Sequence, residues 1–198
     1  MTDARTIAVY DARASDYAEL GSGKPWGSLT DFIAALPQGG DVLDLGCGPG
    51  TAALHMQAAG LAVDAIDASG AMVDLACKRG IAARKATFDD VTQSAAYDGI
   101  WANFSLLHAA PVALPRHIAA IARALRPGGL FHIAMKSGTG QHRDALDRLY
   151  TYVTRSELTD LLTQAGMTPF CIRTGVDKGL AGTDDAFIVI QARKTADA

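Results

Sequence analysis

Cysteine is scarce in this chain of 198 residues, which has three: Cys47, Cys77 and Cys171. An odd number with no CxxC spacing gives neither a disulfide framework nor a zinc site, and no His/Cys/Asp cluster suggests another metal. Basic charge is also lacking, since 18 Lys and Arg stand against 21 Asp and Glu for a formal charge of −3. That balance argues against a surface built to grip a phosphate backbone, so no nucleic-acid partner is expected. No apolar run is long enough to span a bilayer. Met1–Arg5 lacks the basic-then-apolar layout of a signal peptide. The expectation is a cytoplasmic protein with no membrane partner, a monomer or weak homodimer. Low-complexity blocks and internal repeats are absent too. What remains is 49% hydrophobic and 20% charged, an ordinary globular composition with enough chain for one full core.

Strand and helix patterns alternate along most of this length. Residues 1–27 hold few core positions but carry Tyr10, Tyr17 and Trp26, with the two tyrosines at i and i+7 on one helical face. This segment reads as a packing arm or as a helical lid over a ligand. Leu29, Phe32, Ile33 and Leu36 then mark a short amphipathic helix, and residues 28–198 read as a single domain. Strands are expected at about 42–46, 61–67, 81–88, 99–104 and 130–135, with helices at 51–59, 69–76 and 111–125 between them. Thr154-Arg-Ser-Glu157 is a capping box opening a late helix, and 170–176 and 186–192 read as two strands of a hairpin. The fold class expected is α/β, doubly wound: a mostly parallel seven-stranded sheet with helices on both faces and a C-terminal antiparallel hairpin.

The stretch Val42-Leu-Asp-Leu-Gly-Cys-Gly-Pro-Gly50 is the most informative. A buried strand breaks into a turn with glycines at 46, 48 and 50, and Thr51 opens a helix. Such a turn brings bare backbone N–H groups beside a ligand, although a Gly-rich turn with no ligand is an alternative. Asp44, a carboxylate in a buried strand, needs a cationic or N–H partner. Three further features fall at the same sheet edge, where ligands of open parallel sheets bind. Asp67 ends the second strand, where a carboxylate can accept both hydroxyls of a ribose. Phe88-Asp89 offers an aromatic face and an acceptor suited to an adenine and its amine. Asn103-Phe-Ser-Leu-Leu-His108 brings polar groups to the end of the fourth strand. A dinucleotide is disfavoured: the glycines run G-x-G-x-G rather than G-x-G-x-x-G, and the Pro49 ring intrudes where a pyrophosphate needs donors.

With these motifs in order, the chain resembles the Rossmann-like (class I) S-adenosylmethionine-dependent methyltransferases. Residues 42–50, Asp67-Ala-Ser-Gly-Ala-Met72, Phe88-Asp89, Tyr97-Asp-Gly-Ile100 leading to Asn103–His108, and Leu125-Arg-Pro-Gly-Gly129 carry the likeness. Tyr10-Asp…Tyr17 and Arg148-Leu-Tyr150-Thr-Tyr152 look like the small, tellurite-resistance-like subgroup acting on small molecules, although Asp147 stands where a glycine is expected. The resemblance implies S-adenosyl-L-methionine as cofactor. Gly46, Cys47, Gly48 and Gly50 would contact its methionine part and Asp44 its ammonium. Asp67 would hold the ribose, Ala68 and Met72 would flank the adenine, and Phe88 and Asp89 would take the adenine edge and amine. Asn103, Phe104 and Ser105 would line the sulfonium side, with Tyr17 or Trp26 closing over the top.

Methyl transfer from a sulfonium asks chiefly for positioning and exclusion of water, with a base only for a protonated acceptor. His108 is the candidate base by location, and Tyr10, His108, Lys136, Arg148, Tyr150 and Tyr152, with His132, are candidates for an acceptor pocket. A soft anionic acceptor would need little beyond a cation such as Lys136 or Arg148. The expected function is methyl transfer to a small-molecule acceptor. A non-catalytic binder of the same cofactor and a nicotinamide-dependent oxidoreductase are the alternatives.

Overall fold

The computed structural model describes residues 3–20, 27–178 and 182–196, without the side chains of 18–20. Two helices, α1 (Ala4–Ala12) and α2 (Ala14–Leu20), precede α3 (Gly27–Ala34). Strand and helix then alternate through β1 (Asp41–Leu45), α4 (Thr51–Ala58), β2 (Ala62–Asp67), α5 (Gly70–Lys78), β3 (Ala83–Lys85), β4 (Tyr97–Asn103), α6 (Leu114–Ala124) and β5 (Leu125–Lys136). A small hairpin, β6 (Gln141–Arg143) and β7 (Leu149–Thr151), leads to α7 (Arg155–Gln164), β8 (Met167–Lys178) and β9 (Asp184–Lys194). The main sheet has seven strands in the order β3-β2-β1-β4-β5-β9-β8. Its first five strands run parallel, while β9 is antiparallel to both β5 and β8. The strand order reverses between β1 and β4, and a ligand crevice opens at such a switch point.

Alternation along the strands sorts the core into two layers. Leu43 and Leu45 of β1, Ile100 and Ala102 of β4, and Phe131, Ile133 and Met135 of β5 join Ile118 and Ile121 of α6 and Leu158 and Leu162 of α7. The intervening Val42, Trp101 and Leu130 face the other way, against Leu29 and Phe32 of α3 and Met56 of α4. Asp44, Asn103 and His132 share the parity of this second set. Helix ends follow local chemistry: the Ser69 hydroxyl accepts from the Met72 N–H at 3.2 Å to cap α5. At α7, Thr154 and Glu157 exchange bonds as a full capping box.

Some boundaries differ from expectation. The third strand is three residues long, because Thr87 and Asp90 form their own capping box and turn Phe88–Asp90 into a 3-10 turn. Residues 111–113 form another 3-10 turn ahead of α6. Pairing of β5 begins at Leu125, opposite Tyr97, and shifts register before Gly99 meets Leu130. The helix through Tyr10 and Tyr17 breaks at Arg13, yet the two rings still meet, with centroids 5.3 Å apart. No helix among the described residues is long and apolar enough to cross a membrane.

Candidate functional site

A cavity of about 280 Å³ opens at the carboxyl ends of β1, β2 and β4. Its floor is the glycine turn, where the N–H groups of Gly46 and Cys47 both donate to the Ile66 carbonyl at 2.9 Å. The three glycines serve three different needs. Gly46 has φ +78°, and an added Cβ would lie 2.3 Å from Ser105 Cβ, so its bareness makes room for the end of β4. Gly50 has φ +79° and fronts Ala76 and Ile81, which makes its role the packing of the turn on α5. Gly48, at φ +52°, has open space where a Cβ would be and borders the cavity. Gly46 and Gly48 both line the cavity, but of the three glycines only Gly48 has open space where a Cβ would stand, and Gly50 is not among the lining residues.

Asp44 is buried, at 2% exposure, and borders the cavity. Its Oδ2 has no hydrogen-bond partner. Burial, reinforced by the nearby Asp67 charge and opposed by the Ala53 backbone N–H, pushes its carboxyl up to about 7. Each oxygen of Asp67 accepts one backbone hydrogen bond, Oδ2 from the Gly48 N–H at 2.8 Å and Oδ1 from the Ser69 N–H at 2.9 Å. These bonds hold the turn against the end of β2, and burial raises the Asp67 pKa despite them. A carboxylate has about four acceptor positions, so capacity is left for a ligand's hydroxyls. Ala68, Met72 and Phe88 continue the wall, together with Ser69 and Thr87.

On the far side lie Trp101, Asn103, Phe104 and Ser105. Trp101 stacks on His132 with centroids 3.6 Å apart, and His132 Nε2 lies 3.1 Å from Asn103 Oδ1. The hydrogen of His132 therefore sits on Nε2, and Nδ1 is buried without a partner. Burial pushes this imidazole down to about 3, so it is neutral. Its effect is to fix the Asn103 amide oxygen away from other partners. The Ser105 hydroxyl donates to the Leu45 carbonyl at 2.6 Å, tying β4 to β1, so its hydrogen is not available to a ligand. Phe104 has φ +53° and is 40% exposed, an uncommon conformation for an aromatic residue. Cys47 is buried, which raises its thiol pKa, and its Sγ donates to the Gly48 carbonyl.

The N-terminal helices form the roof. Thr6, Ile7, Tyr10 and Tyr17 line it, and Asp11 fastens α1 to α5 by accepting from the Ala71 N–H at 3.1 Å and the Ser69 hydroxyl. Asp3 pairs with Arg143 of the β6–β7 hairpin at 2.9 Å, and burial notwithstanding, that guanidinium holds its carboxyl down to about 2. His108 also lines the roof, with Nε2 2.7 Å from Tyr10 Oη and Nδ1 2.8 Å from the Leu149 carbonyl oxygen. Burial lowers its pKa to about 4.

Several expected site residues stand elsewhere. Asp89 is ion-paired with Arg116 at 2.6 Å and does not border the cavity. Lys136 pairs with Asp185 at 2.8 Å and lies over the Tyr150 ring. Arg148 is held by Asp144 at 2.6 Å and reaches Tyr17 Oη at 3.3 Å. Tyr150 packs behind His108, and Tyr152 packs on His142, so this group supports the roof from outside. None of the described lining residues is lysine or arginine. Trp26 lies outside the described residues. Sequence reasoning missed Trp101, although its i, i+2 spacing to Asn103 placed it on the same face. It also missed the hairpin, whose three-residue strands give no pattern.

Residues 42–129 match the family described as "Methyltransferase domain". YqeM of Bacillus subtilis (strain 168), provisionally named a methyltransferase, is 33% identical over 94 residues; the match spans 46% of this chain and 38% of that relative's length. A crystal structure of the Burkholderia thailandensis 1,6-didemethyltoxoflavin-N1-methyltransferase, with 1,6-didemethyltoxoflavin and S-adenosylhomocysteine bound, is similar at a TM-score of 0.74. It is 27% identical, and the similarity covers 97% of this chain and 88% of that one. A Methanosarcina mazei structure described as a SAM-dependent methyltransferase shares the fold at a TM-score of 0.76 and 18% identity, over 88% of this chain and 100% of that one. Over residues 42–129 the chain is similar to a methyltransferase domain, and as a whole it has the fold of the S-adenosylmethionine-dependent methyltransferase structures it resembles.

Proposed function

We propose that this protein transfers a methyl group from S-adenosyl-L-methionine to a small-molecule acceptor, with residues 1–27 acting as a helical lid on the domain formed by 28–198. The observation that carries the reading is the Asp44 carboxylate, buried beside an open glycine turn with one oxygen unpartnered. An orphaned buried carboxylate calls for a cation, and the ammonium of a methionine moiety supplies one. The rest of the donor set fits. Gly48 leaves the main chain bare, Asp67 retains acceptor capacity for ribose hydroxyls, and Ala68, Met72 and Phe88 form an apolar slot for a purine. When bound, S-adenosylmethionine supplies an electrophilic methyl on a sulfonium. The chain's own contribution is to hold it, exclude water under Tyr10 and Tyr17, and take up any proton the acceptor releases.

A small acceptor is supported by the roof that α1 places over the cavity and by the Burkholderia neighbour, which binds one. An anionic acceptor of the tellurite kind is opposed by the engagement of Lys136 and Arg148 with Asp185 and Asp144. Calorimetry tests the reading: S-adenosylhomocysteine should bind in the micromolar range and NADH should not. Tight NADH binding would turn the assignment to an oxidoreductase. Incubation with methyl-labelled S-adenosylmethionine and a panel of small acceptors then separates an enzyme, which transfers label, from a non-catalytic binder.

A further inference from the structure

The roof of the cavity carries a short proton chain whose hydrogens are placed by geometry. The Leu149 carbonyl oxygen only accepts, so His108 Nδ1, at 2.8 Å, bears a hydrogen. Burial keeps the imidazole neutral, which leaves a lone pair on Nε2. Tyr10 Oη, 2.7 Å away, must then donate to it. Tyr10 lines the cavity, and with its hydrogen given to His108 its oxygen keeps only acceptor positions, with the Tyr17 and Tyr150 hydroxyls also beside it. Every charged or titratable group around His108 is accounted for. Tyr10 comes from α1 and Tyr150 from β7, and Arg148 and Asp144 of the hairpin neutralise each other. Lys136 of β5 is neutralised by Asp185. The walls nearby are rings and one aliphatic side chain: Tyr10, Tyr17, Phe104 and Ile7. No lysine or arginine among the described lining residues offers an anionic acceptor a partner.

We infer, building on the methyltransferase reading, that the site selects neutral, flat aromatic or heteroaromatic acceptors bearing an N–H or O–H, and that Tyr10 and His108 relay that hydrogen away. The acceptor's X–H donates to Tyr10 Oη. The X atom's electron pair forms the bond to the methyl carbon, and the pair of the broken carbon–sulfur bond stays on sulfur. The proton on X passes to Tyr10 Oη as the Tyr10 hydrogen passes to His108 Nε2. The positive charge that leaves sulfur thus ends on the imidazole, and the balance closes without a further reactant. An aliphatic ammonium has no free electron pair to offer, and a neutral imidazole this deeply buried is too weak a base to expose one.

The test is calorimetry on protein saturated with S-adenosylhomocysteine, using 2-quinolone, N-methyl-2-quinolone, quinoline-2-carboxylate and cyclohexylamine as probes. 2-Quinolone should bind at least tenfold tighter than the other three. In Tyr10→Phe its advantage over N-methyl-2-quinolone should fall below threefold, with every titration made on protein saturated with S-adenosylhomocysteine and a cooperative thermal transition reporting a folded protein. The ¹⁵N resonances of His108 should shift on 2-quinolone binding in wild type and stay put in Tyr10→Phe. The inference is overturned if the carboxylate or the amine binds as well as 2-quinolone, if no probe binds, or if the preference survives in Tyr10→Phe. Failure of S-adenosylhomocysteine itself to bind would instead defeat the methyltransferase reading.

Discussion

At the scale of single residues, Asp44 sets stability against function. Its buried oxygen without a partner carries a desolvation cost, so Asp44→Asn should leave the thermal midpoint unchanged or raised while weakening S-adenosylhomocysteine binding at least tenfold, about 1.4 kcal/mol. Loss of both together would mean that the carboxylate is structural. Its pH dependence has a definite sign. With the carboxyl at about 7 in the free protein, binding an ammonium below that pH requires a proton to leave. Affinity for S-adenosylhomocysteine should therefore rise between pH 6 and pH 8, with proton release visible in buffers of different ionisation enthalpy; a flat profile would contradict the pairing. The glycines separate in the same manner. Gly46→Ala drives a Cβ to 2.3 Å from Ser105 Cβ at φ +78° and should destabilise the fold by about 2–4 kcal/mol. Gly48→Ala meets open space and should cost only about 1–2 kcal/mol of stability while impairing cofactor binding more severely. The sequence shows the need for bare backbone at all three positions. Which glycine faces a ligand is decided by Ser105, Ala76 and Ile81, which are distant in the chain.

At the scale of elements, strand and helix periodicity was readable wherever a segment is long and buried on a consistent face, as in β4, β5 and α6. It was weakest in β3, whose alanines and Thr87–Asp90 box leave three paired residues at the sheet edge. It also failed in the β6–β7 hairpin, which is held by side chains from the far N-terminus. Asp147 marks that hairpin: its φ of +70° explains why a glycine is expected there, and its carboxylate holds Arg5 of α1. Arg13 lies between α1 and α2 with an exposed side chain, which makes it a tryptic site when the roof opens. If the helices close over a bound cofactor, saturating S-adenosylhomocysteine should slow cleavage after Arg13 at least tenfold. An unchanged rate would make α1 and α2 a static packing arm.

At the scale of the molecule, buried ionisable groups pull the pH profile in opposite directions. His108 and His132, lowered to about 4 and about 3, take up protons only on unfolding as pH falls below 6.5, so their contribution to stability is lost on acidification. Asp44, raised to about 7, binds its proton in the folded state first, so its contribution favours folding as pH falls from 7. Removing the second effect with Asp44→Asn should therefore steepen the loss of stability between pH 7 and pH 5 in urea unfolding. The molecule brings together a seven-stranded sheet, a switch point between β1 and β4, and a buried carboxylate with one unpartnered oxygen. The seven strands, the terminal hairpin and the glycine turn were legible because each rests on local pattern; the strand order and the contacts that build the roof, such as that of Tyr10 with His108, were not, because they join residues distant in the chain. Titration of S-adenosylhomocysteine into wild type and Asp44→Asn, side by side with NADH, tests the account most directly. It predicts micromolar binding to wild type, at least tenfold weaker binding to the variant, and none of NADH. Equal binding to both proteins, or binding of NADH alone, would contradict it.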